Sequence, residues 1–397
     1  MHLRLRFGEF ITGDGYRAMK YPRLYPDYRG VVPPCKKRWG VAWLVGNLLF
    51  TFFILWLWPL DKATHTAEFW FWTAVFPTLF IGFLFAARVL IYQVASGNQR
   101  AYRHILQQEE VRWWRQRAAG LPIEPWCLLG PGGDKPEHHL AALARDSSPP
   151  EYLITQHGFR VLRCPQILEN DIWRREAALT RHLVRTLIET YALKSSCPPV
   201  FQALYWCGSS QAGQQFMQTL CDSGWQFQQP LLPLNDIDQL DDAIDHYHRL
   251  SRHKNRLLCA GIYSASHIDS TQITGEAGFV WCVGVEKKVI VQRAERQDTP
   301  DETALMLTRQ VEKISLMTSP PEHCLSFNNR AAEYLQSGGW PTLEHILAPY
   351  WGDLQQMSPF VAISMAAFRS LEAGQSCGWI AQDQMRKCII GVITIDK

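Results

Sequence analysis

The chain has 397 residues, 40 Lys and Arg against 37 Asp and Glu, a net charge of +3 and a charged share of 19%. That balance argues against nucleic acid as a partner, while a hydrophobic share of 47% supplies enough apolar surface for a packed core. Eleven cysteines at irregular spacing, with no CxxC pair, fit neither a zinc pattern nor a disulfide framework; they read as small buried hydrophobes in a reducing cytoplasm.

Residues 1–39 form a basic arm with Arg4, Arg6, Arg17, Lys20, Arg23, Arg29, Lys36, Lys37 and Arg38. Its stretch YPRLYPDYRGVVPP has neither helix nor strand period and is expected to lie extended on headgroups or on a partner. Residues 40–60, GVAWLVGNLLFTFFILWLWPL, carry no charge and at 1.5 Å per residue span a hydrocarbon core of about 30 Å. Residues 69–87, FWFWTAVFPTLFIGFLFAA, are a second uncharged run, with a kink expected at Pro77. The connection 61–68 is too short for a domain, so 40–92 reads as a transmembrane hairpin. Basic residues crowd both outer flanks and only Lys62 lies in the connection, which predicts a bacterial inner-membrane protein with both termini cytoplasmic. Lys36, Lys37, Arg38, Trp39, Arg88, Trp113 and Trp114 are the expected membrane-interface residues. The spans hold no ionisable group, so the hairpin reads as an anchor and not a transport path.

Residues 93–150 read as a neck. Positions 94–119 have near-helical spacing and are expected to form a juxtamembrane amphipathic helix, with Trp113 and Trp114 on the bilayer or on the following domain. Positions 120–150, with GLPIEPW, GPGGDK and the run Ser147-Ser148-Pro149-Pro150, read as linker. The Gly130–Gly133 run lacks both phosphate-loop spacings, and His138 and His139 sit in the same linker without a third metal ligand. In 151–397, strands are expected at 159–162, 200–207, 256–263 and 389–395, with 278–285 and 288–293 paired to each other. Helices are expected at 171–192, capped by Asp171, and at 213–223, 237–250, 303–316, 329–337 and 359–373. The alternation predicts a layered α/β cytoplasmic body, without an internal repeat.

Chemistry-bearing patterns are sparse. Asp238, Asp241, Asp242 and Asp245 share one helix; a solvated acidic face is preferred there to a cation site. Gly208-Ser209-Ser210 has the strand-to-helix placement of a nucleophile turn but neither the flanking motif nor an assignable base. No catalytic residue, cofactor or metal is expected.

Three stretches resemble the thiolase and ketoacyl-synthase family: RLLCAGIYSAS, TGEAGFVWCVGVEK with Gly275, Glu276, Ala277 and Gly278, and SPFVAISMAAFRSLEAGQS. The resemblance covers roughly residues 195–397 and implies a thiolase-like fold. Family members need a cysteine at the start of a buried helix and two loop histidines. Here no cysteine lies between Pro230 and Leu250, and no histidine lies near Trp351-Gly352-Asp353, so the resemblance implies a body without its acyl-transfer nucleophile. The order of parts also resembles membrane proteins encoded beside type VI secretion genes, some of which load lipase effectors onto the secretion spike. Together these imply a non-enzymatic, membrane-tethered adaptor of a secretion system. Its partners would be the lipid bilayer and a protein, an effector or spike component, with homo-oligomerisation left open. The alternatives are a membrane-tethered enzyme of lipid or acyl metabolism, and an immunity protein against a membrane-active toxin.

Overall fold

The computed structural model describes residues 25–28, 30–59, 62–155, 158–193, 198–250, 256–264, 272–284, 288–299, 301–341 and 345–395. Arg4, Arg6, Arg17, Lys20, Arg23 and Arg29 of the basic arm lie outside them. The chain divides into a helical unit, Tyr21–Trp113, and a body from Trp114 onward.

The helical unit holds α1 (Lys36–Leu57) and α2 (Ala67–Arg117), both long and apolar enough to cross a membrane. α2 has 51 residues, so it extends about 76 Å. This corrects the expectation of a separate juxtamembrane helix. No proline interrupts the chain between Arg88 and Arg117, and the helix simply continues. Trp113 therefore stands about 39 Å beyond Ala87 along the axis, in the neck and well past the end of the apolar run.

Pro77 cannot donate to the carbonyl of Thr73, four residues earlier. The helix answers with a π turn at Phe71–Val75, and Thr51 Oγ1 of α1 stands 3.2 Å from the Thr73 carbonyl oxygen. Thr78 Oγ1 donates to Asn47 Oδ1 at 3.1 Å, and a Cβ on Gly46 would meet Ile81 Cδ1 at 2.5 Å, so the two helices touch through small residues. The described part of the arm runs along α2 and not away from it: Tyr102 Oη donates to the Pro26 carbonyl at 2.9 Å, and the Tyr28 and Tyr102 rings lie 5.6 Å apart.

Ten strands make the path of the body's main sheet: β1 (Leu121–Leu129), β2 (Ala203–Cys207), β3 (Leu232–Pro233), β4 (Leu257–Tyr263), β5 (Ala277–Val283), β6 (Val289–Val291), β7 (His323–Ser326), β8 (His345–Ile346), β9 (Cys377–Gln382) and β10 (Cys388–Ile395). Their order is β8-β7-β9-β10-β6-β1-β5-β4-β2-β3, and an eleventh short strand, Glu295–Arg296, pairs with β10 off that path. The order contains a duplication. From the seam outward, the first half is β1-β5-β4-β2-β3 and the second is β6-β10-β9-β7-β8, the same arrangement shifted by five strands. In each half only the fifth strand runs antiparallel to the rest, and β1 meets β6 antiparallel at the seam. The repeat, not evident in the sequence, appears in the strand order.

β1 also corrects the linker assigned to 120–150. It pairs on one side with β5 and on the other with β6, so β5 and β6 do not pair with each other as expected. Its two prolines hid it, since proline removes a ladder donor. The register skips from Ile123 to Trp126, and this bulge takes up Pro125.

Helices cover both faces. α6 (Ile237–Arg249), α9 (Ser358–Ala373) and α3 (Pro136–Ala144) pack on one face in a core that includes Trp281, Phe360 and Trp379. On the other face, α4 (Ile172–Ala192) and α5 (Ser210–Asp222) cover the first half, while α7 (Ala304–Ile314) and α8 (Asn329–Ser337) cover the second. The strands are apolar on both sides, as a sheet buried between helix layers requires. A short strap, Thr274–Gly275, leaves the first half and bridges to Asp353 in the second.

Candidate functional site

In open α/β sheets, ligand crevices form outside the carboxyl ends of the parallel strands. Beyond the ends of β7, β8 and β9 lies a cleft of about 770 Å³. Asn328, just past β7, caps α8: its Oδ1 accepts from the Ala331 N–H at 2.9 Å, while its Nδ2 donates to Gln382 Oε1 at 3.0 Å. One side chain thus ties a helix start to the end of β9. Asp353 sits before α9, its Oδ1 accepting from the Gln355 N–H at 3.0 Å. Its backbone is held by the strap, with Asp353 N–H to the Ile273 carbonyl at 2.7 Å and Gly275 N–H to the Asp353 carbonyl at 3.0 Å. Both halves therefore build the cleft.

The strap itself is clamped from below. Glu276 is buried, and its carboxylate takes Arg175 Nε at 2.6 Å and Nη2 at 2.7 Å, plus the Cys164 N–H at 3.1 Å. Arg175 spends its remaining donors on the carbonyls of Cys164, Ile167 and Glu169. The pair is fully hydrogen-bonded, the condition under which a buried ion pair is tolerated.

At the cleft mouth, Arg330 of α8 and Arg386 of the β9–β10 turn are exposed guanidinium groups. Asp383 is partly used up, accepting from the Lys387 N–H at 2.8 Å. Among the described residues four non-glycines have positive φ, and two of them, Gln355 at 48° and Arg386 at 60°, line this cleft. Such conformations cost energy and collect at functional sites. Among the described residues the lining contains neither cysteine nor histidine.

The first half places α6 at the position that α9 holds in the second. α6 begins at Asp236, whose Oδ1 accepts from the Gln239 N–H at 2.8 Å, and no cysteine stands there. Ser209 is likewise a cap, its Oγ accepting from the Ala212 N–H at 3.2 Å, which accounts for the Gly208-Ser209-Ser210 pattern without a nucleophile. The aspartates of α6 divide: Asp242 and Asp245 are exposed, as a solvated face requires, while Asp238, Asp241 and Asp245 meet arginines. Asp241 Oδ2 takes Arg117 Nη1 at 2.8 Å and its Oδ1 faces Arg293 at 3.4 Å; Asp245 also meets Arg293, and Asp238 meets Arg296 at 2.7 Å. Burial works against the Arg117 charge, but Asp241 and Glu295 more than restore it, and its pKa ends above the ordinary guanidinium value.

Other patterns singled out in the sequence resolve in the same way. The Gly130–Gly133 run is a tight turn closed by reciprocal backbone bonds of 2.9 and 3.0 Å, so those amides are taken. His138 and His139 lie on α3 and not in a linker. The His139 ring is stacked between Trp351 and Phe368, its Nε2 is 2.8 Å from the Leu128 carbonyl, and burial lowers its pKa to about 4. Burial raises the Cys127 thiol to about 11 and Cys207 to about 12, so neither is a ready thiolate. Of the expected interface residues, Lys36, Lys37 and Arg38 open α1, the Trp39 ring meets Phe85 at 5.4 Å, and Arg88 Nη2 donates to the Val32 carbonyl at 3.3 Å. Trp114 belongs to the body, with Lys313 Nζ 3.6 Å above its ring.

The sequence marked Trp351-Gly352-Asp353 only as a place without a histidine, and Asn328, Arg330, Asp353, Gln355 and Arg386 were not expected as site residues. Only Asn328 carried a local signal, as a capping residue before an expected helix.

No family model and no curated protein matches this chain. Solved structures do. The ishigamide ketosynthase/chain length factor aligns with a TM-score of 0.51 and 12% identity, covering 70% of this chain and 100% of that one. The ketosynthase from module 6 of the bacillaene synthase of Bacillus subtilis 168 aligns with a TM-score of 0.51 and 6% identity, covering 70% and 72%. The body has the ketosynthase, thiolase-like fold. This overturns the expectation of a secretion-system adaptor, since the scaffold is one found in polyketide biosynthesis and no likeness to a type VI secretion component emerges.

Proposed function

We propose that this protein is a membrane-tethered member of acyl metabolism whose body holds an acyl ligand with an anionic head, without a cysteine-bound intermediate. The observation that carries the reading is the cleft: it lies at the carboxyl strand ends of a ketosynthase-like fold, offers Arg330 and Arg386 at its mouth, and has no thiol or imidazole among the described residues of its lining. The guanidinium groups suit a phosphate or carboxylate head. Asn328 and Asp353 suit a carbonyl or hydroxyl deeper in. Anchoring through α1 and α2 keeps the body beside a bilayer, where long acyl chains reside, and the arginine and lysine distribution favours a cytoplasmic body.

Binding of a medium-chain acyl-coenzyme A to the full chain in detergent tests this, by calorimetry and by mass spectrometry of the intact protein. The expected result is reversible binding without a covalent adduct, weakened about tenfold or more by joint Arg330→Gln and Arg386→Gln substitution. Absence of binding, or an unchanged affinity in the double variant, overturns the site. A hydroxylamine-sensitive acyl adduct overturns the non-covalent mode.

A further inference from the structure

The two apolar helices do not pack evenly along their length. At Gly46 the gap is closed by Ile81. Nearer the start of α1 the helices leave a groove of about 380 Å³ between Lys36, Trp39, Gly40, Trp43, Gly82 and Phe85. Gly40 and Gly82 make the room: a Cβ built on either meets nothing within 4 Å. Groove walls are aromatic and apolar, whereas its rim is cationic, with Lys36 in the lining and Lys37 and Arg38 next in the chain. No acidic residue occurs between Asp27 and Asp61, or between Glu68 and Glu109, so the whole basic end of the hairpin is without a carboxylate of its own.

We infer that this groove holds one acyl chain of an anionic glycerophospholipid, whose phosphate sits among Lys36, Lys37 and Arg38. The inference rests on the membrane anchoring proposed above. An apolar slot beneath a cation-only rim, at one end of an apolar helix pair, matches a lipid with a charged head and a hydrocarbon tail. Tryptophans at that level add rings that favour the headgroup boundary. A zwitterionic lipid satisfies the slot but not the rim, and a helix from a second copy satisfies neither the rim nor the width set by the two open glycines.

The test is native mass spectrometry of the full chain released from micelles holding equal amounts of phosphatidylglycerol and phosphatidylcholine. The wild type is expected to retain one phosphatidylglycerol, favoured about tenfold. Joint Gly40→Leu and Gly82→Leu substitution, which the open space accommodates, removes that retained lipid. Joint Lys36→Gln, Lys37→Gln and Arg38→Gln substitution leaves a lipid in place but abolishes the preference. Equal retention of the two lipids by the wild type, undiminished retention in the double leucine variant, or a change from dimer to monomer in that variant overturns the inference. Carbonate extraction of cell membranes separates the two readings: release of the chain into the soluble fraction sinks the anchor itself, whereas a membrane-bound chain without lipid preference sinks only the groove.

Discussion

The two halves of the body follow the same strand path and use it differently. Between its third and fourth strands each half inserts a helix, α6 in the first and α9 in the second. α9 is buried from Ser358 to Phe368, and its polar groups are satisfied nearby: Ser364 Oγ accepts from Trp281 Nε1 at 2.8 Å and donates to the Phe360 carbonyl at 2.9 Å. α6 gives one face to the core and commits Asp238, Asp241 and Asp245 to arginines. The start of α9 lacks a side-chain cap and opens into the cleft, whereas the start of α6 is capped by Asp236. A duplicated frame can therefore keep its strand order while one helix start lines a crevice and the other takes a side-chain cap.

The strap from the first half offers the strongest way to break this asymmetry. Glu276→Ala would strand Arg175 in the interior, and denaturant unfolding should show a loss of about 3–5 kcal/mol. Joint replacement, Arg175→Met with Glu276→Leu, should cost clearly less, because no charge is left unpaired. A single-variant loss within about 1 kcal/mol, the scale of an exposed pair, would show that something else holds the strap.

His139, stacked on the Trp351 that precedes the cleft, gives a pH dependence. Its folded pKa is depressed, so between about 4 and 6.5 the unfolded chain binds the extra proton. Stability should then rise with pH across that window, by about 3 kcal/mol from this group. Melting temperatures of His139→Phe, measured over the same range, should lose most of that slope. A slope identical to wild type would place the titration elsewhere.

Packing sharpens the contrast between the two helices. Ala362 of α9 is fully buried, and Ala362→Leu should cost about 1–3 kcal/mol through overpacking. Asp242→Leu on the open side of α6 should stay within about 0.5 kcal/mol. Equal costs, read from unfolding midpoints, would deny that the helices differ in burial. At the cleft rim the sign reverses: Arg386→Gly should relieve its left-handed backbone and raise stability by about 0.5–1 kcal/mol, while weakening acyl binding.

Local signals were readable wherever the chemistry was local. Asp171, Thr303 and Asn328 cap helices where capping residues precede apolar periodicity, and α8 spans 329–337 as its spacing indicated. β1 was not readable, because Pro122 and Pro125 imitate a linker and only its neighbours β5 and β6, more than a hundred residues away, make it a strand. β7 and β9 were also missed, being short apolar runs without turn signals that distinguish them from loop. The cleft was not legible: Trp351-Gly352-Asp353 was marked only as a place without a histidine, and Arg330 and Arg386 are ordinary surface arginines until the ends of β7 and β9 bring them to one mouth.

By itself the sequence determined the two apolar helices, the body's α/β alternation and the absence of a cysteine where α6 begins. Each follows from composition or spacing within one segment. Tertiary structure alone decided the duplication, the central place of β1 and the pairing of Asp238, Asp241 and Asp245 with arginines. Strand neighbours and buried charge partners are chosen by packing across long sequence separations, where no local propensity reaches.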